Sequence, residues 1–203
     1  WVGNAAEVAE AVEVLLLKGP GDVSELSLRL AASMVHLGGL AGSPEEARRQ
    51  VEEALDSGRA YDKFEEMVHA QGGDLEAFND RAARGGHLAG STGVIEAKRS
   101  GVVAWCDARA VGESLRVLGG GRLARTETVD PGAACQVLKK IGDPVTRGEP
   151  LARAFFSVDE SRWSEARRLL EGAFEIGGEA VPPALVIDTV VPGEAGRWPA
   201  DVG

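Results

Sequence analysis

The spacing of apolar residues changes once along this chain, near residue 87. That change constrains the fold more than any single motif. Before it, apolar residues recur every three or four positions. After it, short β-branched runs are broken by glycine and proline. One face of a helix satisfies the first pattern and alternate residues of a strand satisfy the second. The expected class is therefore α+β, with helices first and a mixed strand and helix module after them.

The helical part carries its own punctuation. Asn4 stands as an N-cap with Glu7 three residues on, and Val8, Val12, Leu15 and Leu16 form a stripe behind them. Gly19 and Pro20 end that helix, and Asp22 opens the next. Leu26, Leu28, Leu30, Met34, Val35 and Leu37 make the second helix apolar on most sides, which predicts a buried helix. Ser43, Pro44 and the acids after them give a third helical start, closed by Gly58. A short fourth helix follows through residue 73.

From His87 onward, "GVIEAKRSGVVAWCDA" reads as two strands about a turn at Ser100 and Gly101. Asp107 caps a short helix. "AACQVLKKIGDPVTRGEPLARAFF" alternates strand with tight turns, and "DESRWSEARRLLEGAFEIG" reads as one helix. "ALVIDTVV" reads as a last strand, and the tail beyond it is rich in glycine and proline. The predicted division is 1–88 helical, 89–191 an α+β module, and 192–203 a flexible tail.

Composition narrows the function classes. The 203 residues carry a formal charge of −10, with 16 acids and 8 bases in residues 1–90. Phosphate backbones are bound by clustered lysine and arginine, so a general nucleic-acid surface is not expected. No apolar run approaches about 18 residues, so no membrane span is expected. No secretion signal is visible, and Cys106 and Cys135 sit apart in apolar settings, as reduced thiols of a cytoplasmic protein would. The chain opens at Trp1 with a helix almost at once, which reads as a piece of a longer protein.

Several strings invite a chemical interpretation. "VLGGGRLARTETVDP" resembles a phosphate cradle, but its glycines follow a helix where a cradle would precede one. Gly119 stands where a helix C′ glycine belongs, and the carbonyl end of a helix repels anions. "GSTG", Gly90 to Gly93, leads into a strand and reads as a loop. "VIEAKRSGVV" and "IGDPVTRGEPL" resemble the two halves of a biotin or lipoyl carrier, with Lys98 only three residues before Gly101. That spacing suits a shared barrel-sandwich architecture without the modification. His36, His69 and His87 have no partners at ligand spacing. The residues alone assemble no catalytic triad.

One resemblance covers about Val2 to Val190. The opening is similar to the G-N-A-x-E-V-x-E-A helix of the thymidine and pyrimidine-nucleoside phosphorylase family, through Gly3, Asn4, Ala5, Glu7, Val8, Glu10 and Ala11. Gly19, Pro20, Asp22 and Glu25 match the G-P-x-D-L-x-E-L that follows. "ALDSGRAYDKFEEMVHAQGGD", "SGVVAWCDARAVGESLRVLGGGR", "DPGAACQVLKKIGDPVTRGEPLA" and "PPALVIDTV" continue it in order.

The resemblance implies phosphorolysis, in which a pyrimidine nucleoside and inorganic phosphate give free base and (deoxy)ribose 1-phosphate. It implies a helical end of a larger α/β domain and an α/β-hammerhead, or barrel-sandwich, C-terminal module. In the family the phosphate loop and the arginine, serine and lysine that hold the base precede the G-N-A helix. No catalytic or substrate-binding residue is therefore expected in this chain, and the chain alone is expected to be inactive. Glu10 matches a glutamate that binds a monovalent cation, potassium, in some bacterial members; in the isolated chain it reads as an exposed helix acid. The resemblance also implies a homodimeric parent, with the fragment itself a monomer. The alternatives are a stand-alone binding or carrier-like module, and a relative acting on nucleoside monophosphates.

Overall fold

Glycine and the capping side chains set the helix boundaries. The structure, a computed structural model, describes residues 1–188. A two-residue strand β1 (Val2–Gly3) leads into α1 (Asn4–Leu15), followed by α2 (Gly21–Leu37), α3 (Pro44–Asp56), α4 (Arg59–Ala70) and α5 (Leu75–Ala83). Ser43 accepts the Glu46 amide at 3.1 Å and caps α3 as expected. Asp74 does the same for Ala77 at 2.9 Å and starts α5. That helix lies beyond the four read from the sequence.

The first cap differs from expectation. Gly3, not Asn4, is the N-cap, and Glu7 reaches back to the Gly3 amide at 2.8 Å. The face of α1 that is buried consists of Ala6, Val12 and Val14, while Val8 and Leu16 are exposed. The larger departure is α2. Only Ala32 among its 17 residues is buried, although the helix is apolar on most sides.

The second part begins with β2 (Ser91–Glu96) and β3 (Gly101–Cys106), then α6 (Ala108–Leu115), which runs into a π turn at Arg116–Gly120. β4 (Ala134–Val137), β5 (Pro144–Val145), β6 (Pro150–Phe156), α7 (Glu160–Gly172) and β7 (Phe174–Gly177) complete it. Asp107 caps α6 as read from the sequence. The stretch expected as one helix to residue 177 divides instead. Phe174 and Ile176 are buried and Glu175 is exposed, an alternation that belongs to a strand, and they pair with β3. No strand covers residues 184–188. The remainder of that expected strand, and the 192–203 tail, lie outside the described residues.

Two small antiparallel sheets result, ordered β1-β4-β6-β2 and β5-β3-β7. Ile95, Val103, Leu118, Leu151 and Leu170 form the core between them and beneath α6 and α7. Leu118 and Leu170 are fully buried, each contributing on the order of 1.5–3 kcal/mol by loss of apolar surface to water. Gly93 has no side chain because the Trp163 indole lies there, stacked on Phe156 with ring centroids 4.7 Å apart.

The start of the chain is sewn into this second part. Val2 pairs with Cys135 and Gly3 with Ala134, the Ala5 amide donates to the Pro131 carbonyl at 3.0 Å, and the Trp1 ring lies against Phe155. Lys140 also bonds to Asp22 at the start of α2 and holds that carboxyl below the usual carboxylate range.

Candidate functional site

The sequence singles out three places for chemistry: the start of α1 with Glu10, the glycine turn, and the Lys98 corner. β1 and α1 place the first two side by side. Glu10 projects from α1 with its side chain only 12% exposed. The Trp1 nitrogen donates to both of its oxygens, at 3.2 and 3.3 Å. Glu7, one turn earlier, is occupied by the Gly3 amide.

The glycine turn presents carbonyls, three of which already have a donor in place. Gly119 adopts φ +96°, the conformation that ends α6 and its π turn, as the sequence predicted. The Val117 carbonyl accepts from Arg162 Nε at 2.8 Å, that of Gly119 from the Asp130 amide at 2.8 Å, and that of Gly120 from Asn4 Nδ2 at 3.0 Å. A cationic guanidinium at the carbonyl end of a helix is the favourable polarity. A phosphate cradle needs the opposite, free amides converging on one point. At the nearby start of α1 two of the amides are already engaged, Gly3 with Glu7 and Ala5 with Pro131. Arg122 is exposed on the loop beyond.

Lys98 lies in the turn between β2 and β3, with its side chain 74% exposed. Its ammonium pairs with Glu171 at 3.0 Å, and Arg167 approaches the same carboxylate at 2.8 Å. These two cations, Lys98 first, hold the Glu171 carboxyl below its ordinary range.

The remaining candidates are local. His36 Nδ1 meets the Ala41 carbonyl at 3.2 Å, and His69 sits in the last turn of α4. His87 stands edge-on to Phe78, and burial pushes its pKa down. Burial pushes both thiols up, Cys135 to about 12, so neither is a ready nucleophile. Among the described residues no group of three His, Cys, Asp or Glu side chains gathers as a metal set. Glu10 supplies one carboxylate, where a hard cation takes several oxygens.

Sequence reasoning missed two positions. Asn4 is a tether to Gly120, 116 residues away, rather than a cap. Arg162 is the donor that closes the helix end. Nothing local in sequence marks either role, since both depend on pairing partners distant along the chain.

Among the described residues, then, the candidate places come down to a glycine turn with donors on three of its carbonyls, a helix acid and an exposed, paired lysine. The second part of the chain has a known class: residues 102–177 match the model of the pyrimidine nucleoside phosphorylase C-terminal domain. Over most of its length the chain is also similar to thymidine and pyrimidine-nucleoside phosphorylases. It is 39% identical over 193 residues to thymidine phosphorylase of Mycobacterium tuberculosis, which covers 94% of this chain and 42% of that protein. It is 33% identical over 185 residues to pyrimidine-nucleoside phosphorylase of Bacillus subtilis, covering 91% and 42%. For the enzyme of that name from Geobacillus stearothermophilus the values are 35% over 191 residues, 93% and 43%. The chain thus spans less than half the length of the curated relatives it matches.

Proposed function

We propose that this chain works as the C-terminal part of a pyrimidine-nucleoside phosphorylase, a pentosyltransferase. The whole enzyme would take a pyrimidine nucleoside and inorganic phosphate and return free base and (deoxy)ribose 1-phosphate. The observation that carries this is the 39% identity over 94% of the chain to a thymidine phosphorylase. Such a reaction needs phosphate aimed at the anomeric carbon and a site that stabilises the departing base as its negative charge grows. Both provisions would come from other parts of the enzyme. The contribution of this chain is support: helices within residues 1–88 that complete a larger α/β domain, and a module at 89–191 of hammerhead, or barrel-sandwich, form.

Glu10 would supply one oxygen to a monovalent cation such as potassium, with the other oxygens coming from the rest of the enzyme. Alone it does not make a cation site, and no step depends on it here. The complete enzyme would be a cytoplasmic homodimer acting on small molecules, with no nucleic-acid or membrane partner. The carrier-like alternative has less support, because Lys98 is engaged by Glu171.

The test is a substrate panel on a joined enzyme, in which this chain replaces the matched 42% of the M. tuberculosis protein. Thymidine, uridine and thymidine monophosphate are offered with and without phosphate. Phosphate-dependent release of base from the nucleosides is expected. Release from the monophosphate alone would move the chain to the nucleotide-cleaving class.

A further inference from the structure

Helix α2 carries two apolar faces, and this structure covers one. Leu28, Ala31 and Val35 turn toward Val51 and Leu55 of α3 and line a groove of about 690 Å³. Val23, Leu26, Leu30, Met34 and Leu37 recur at steps of three and four residues on the other side. At 100° per residue these five positions fall within an arc of about 80° and run roughly 21 Å along the helix. Leu30, Met34 and Leu37 are 54%, 67% and 84% exposed, while Val23 and Leu26 at the start of the stripe are half-buried.

The helix packed against it, α3, does not share this character: Arg49 pairs with Glu53 on its outward side and none of its large apolar residues is exposed. Single exposed apolar residues occur on α1 and α4, Val8 and Met67 among them, but the row on α2 is longer. A helix that is apolar on opposite sides belongs in the interior of a layered domain. A continuous exposed patch of this kind marks a contact surface.

We infer that the Val23–Leu37 stripe of α2 is the surface on which the remainder of the phosphorylase chain packs. The occupant follows from length: the relatives that match 91–94% of this chain are more than twice as long, so most of such an enzyme is available to cover it. The inference rests on the phosphorylase assignment and adds to it the face through which this part is held.

The test places Met34→Lys and Leu37→Lys together in two contexts. Lysine is a good helix former, and both sites lie near the end of the helix where positive charge is favourable. In the chain alone, thermal unfolding is expected to be unchanged or slightly raised. In the joined enzyme described above, the same pair is expected to lower the melting temperature by about 5 °C or more. Equal effects in both contexts, or none in either, would overturn the inference. So would a concentration-dependent dimer of the chain alone that the double variant dissolves, since the occupant would then be a second copy. Thymine release by the unaltered joined enzyme is read separately. A joined enzyme sensitive to the variant but silent in that assay loses the activity and keeps the surface. An active enzyme indifferent to the variant does the reverse.

Discussion

Asn4 and Gly120 lie 116 residues apart and are joined by one hydrogen bond, from the Asn4 amide to the Gly120 carbonyl at 3.0 Å. That bond places the start of α1 against the end of α6 and its π turn. It also fixes what the three glycines do, because the carbonyl that a phosphate would have to avoid faces inward to a donor. Asn4→Ala removes the tether at an exposed site where water replaces the donor. The expected loss is about 0.5–1 kcal/mol, measured by urea unfolding.

Gly93 is a packing position. A methyl group there would come within 2.2 Å of the Trp163 ring. Gly93→Ala should unseat that ring from Phe156 and cost about 2–3 kcal/mol. Near-ultraviolet circular dichroism and tryptophan fluorescence should both change. Gly119→Ala meets only ordinary contacts, at 3.7 and 3.8 Å, so its cost is that of φ +96° for a residue with a side chain. About 1–2 kcal/mol is expected with the aromatic signals retained.

His87 should make stability depend on mildly acid pH. Burial favours its neutral form, so its pKa in the folded chain lies below the ordinary value of 6.5, with Arg81 lowering it further and Ala82 and Glu13 opposing. As pH falls through 6.5 the unfolded state takes up a proton that the folded state resists. Stability therefore declines below that pH until the folded-state pKa is passed. His87→Gln should flatten this part of the profile in urea unfolding followed from pH 7.5 to 5. A profile as steep as that of the parent chain would assign the dependence to other groups.

Lys98 should remain a plain lysine. Its pair with Glu171 is largely exposed, so Lys98→Ala should change stability by no more than about 0.5 kcal/mol. Intact mass after expression beside biotin or lipoate ligases should show no addition. A biotinyl or lipoyl increment on Lys98 would instead favour the carrier-like alternative.

Local signals announced themselves in the sequence and long-range ones did not. Ser43, Asp107 and Gly119 were legible because a cap needs only a side chain, or a missing one, within a few residues of the helix end. β7 was hidden because Phe174 follows α7 almost without a break, and only pairing with β3 makes it a strand. β1 is too short to show alternation and exists through β4. The exposure of α2 was illegible for a different reason. Its composition describes a buried helix, and the cover that composition anticipates is not found among the described residues.

Under the function proposed above, this chain is a supporting part of a phosphorylase and holds no reaction centre of its own. The most direct measurement is thymine release from thymidine and phosphate by the purified chain, beside the same assay on the chain joined to the unmatched part of the M. tuberculosis enzyme. No turnover by the chain alone and phosphate-dependent turnover by the joined protein are predicted. Turnover by the chain alone, or a folded joined protein that releases no thymine, would contradict it.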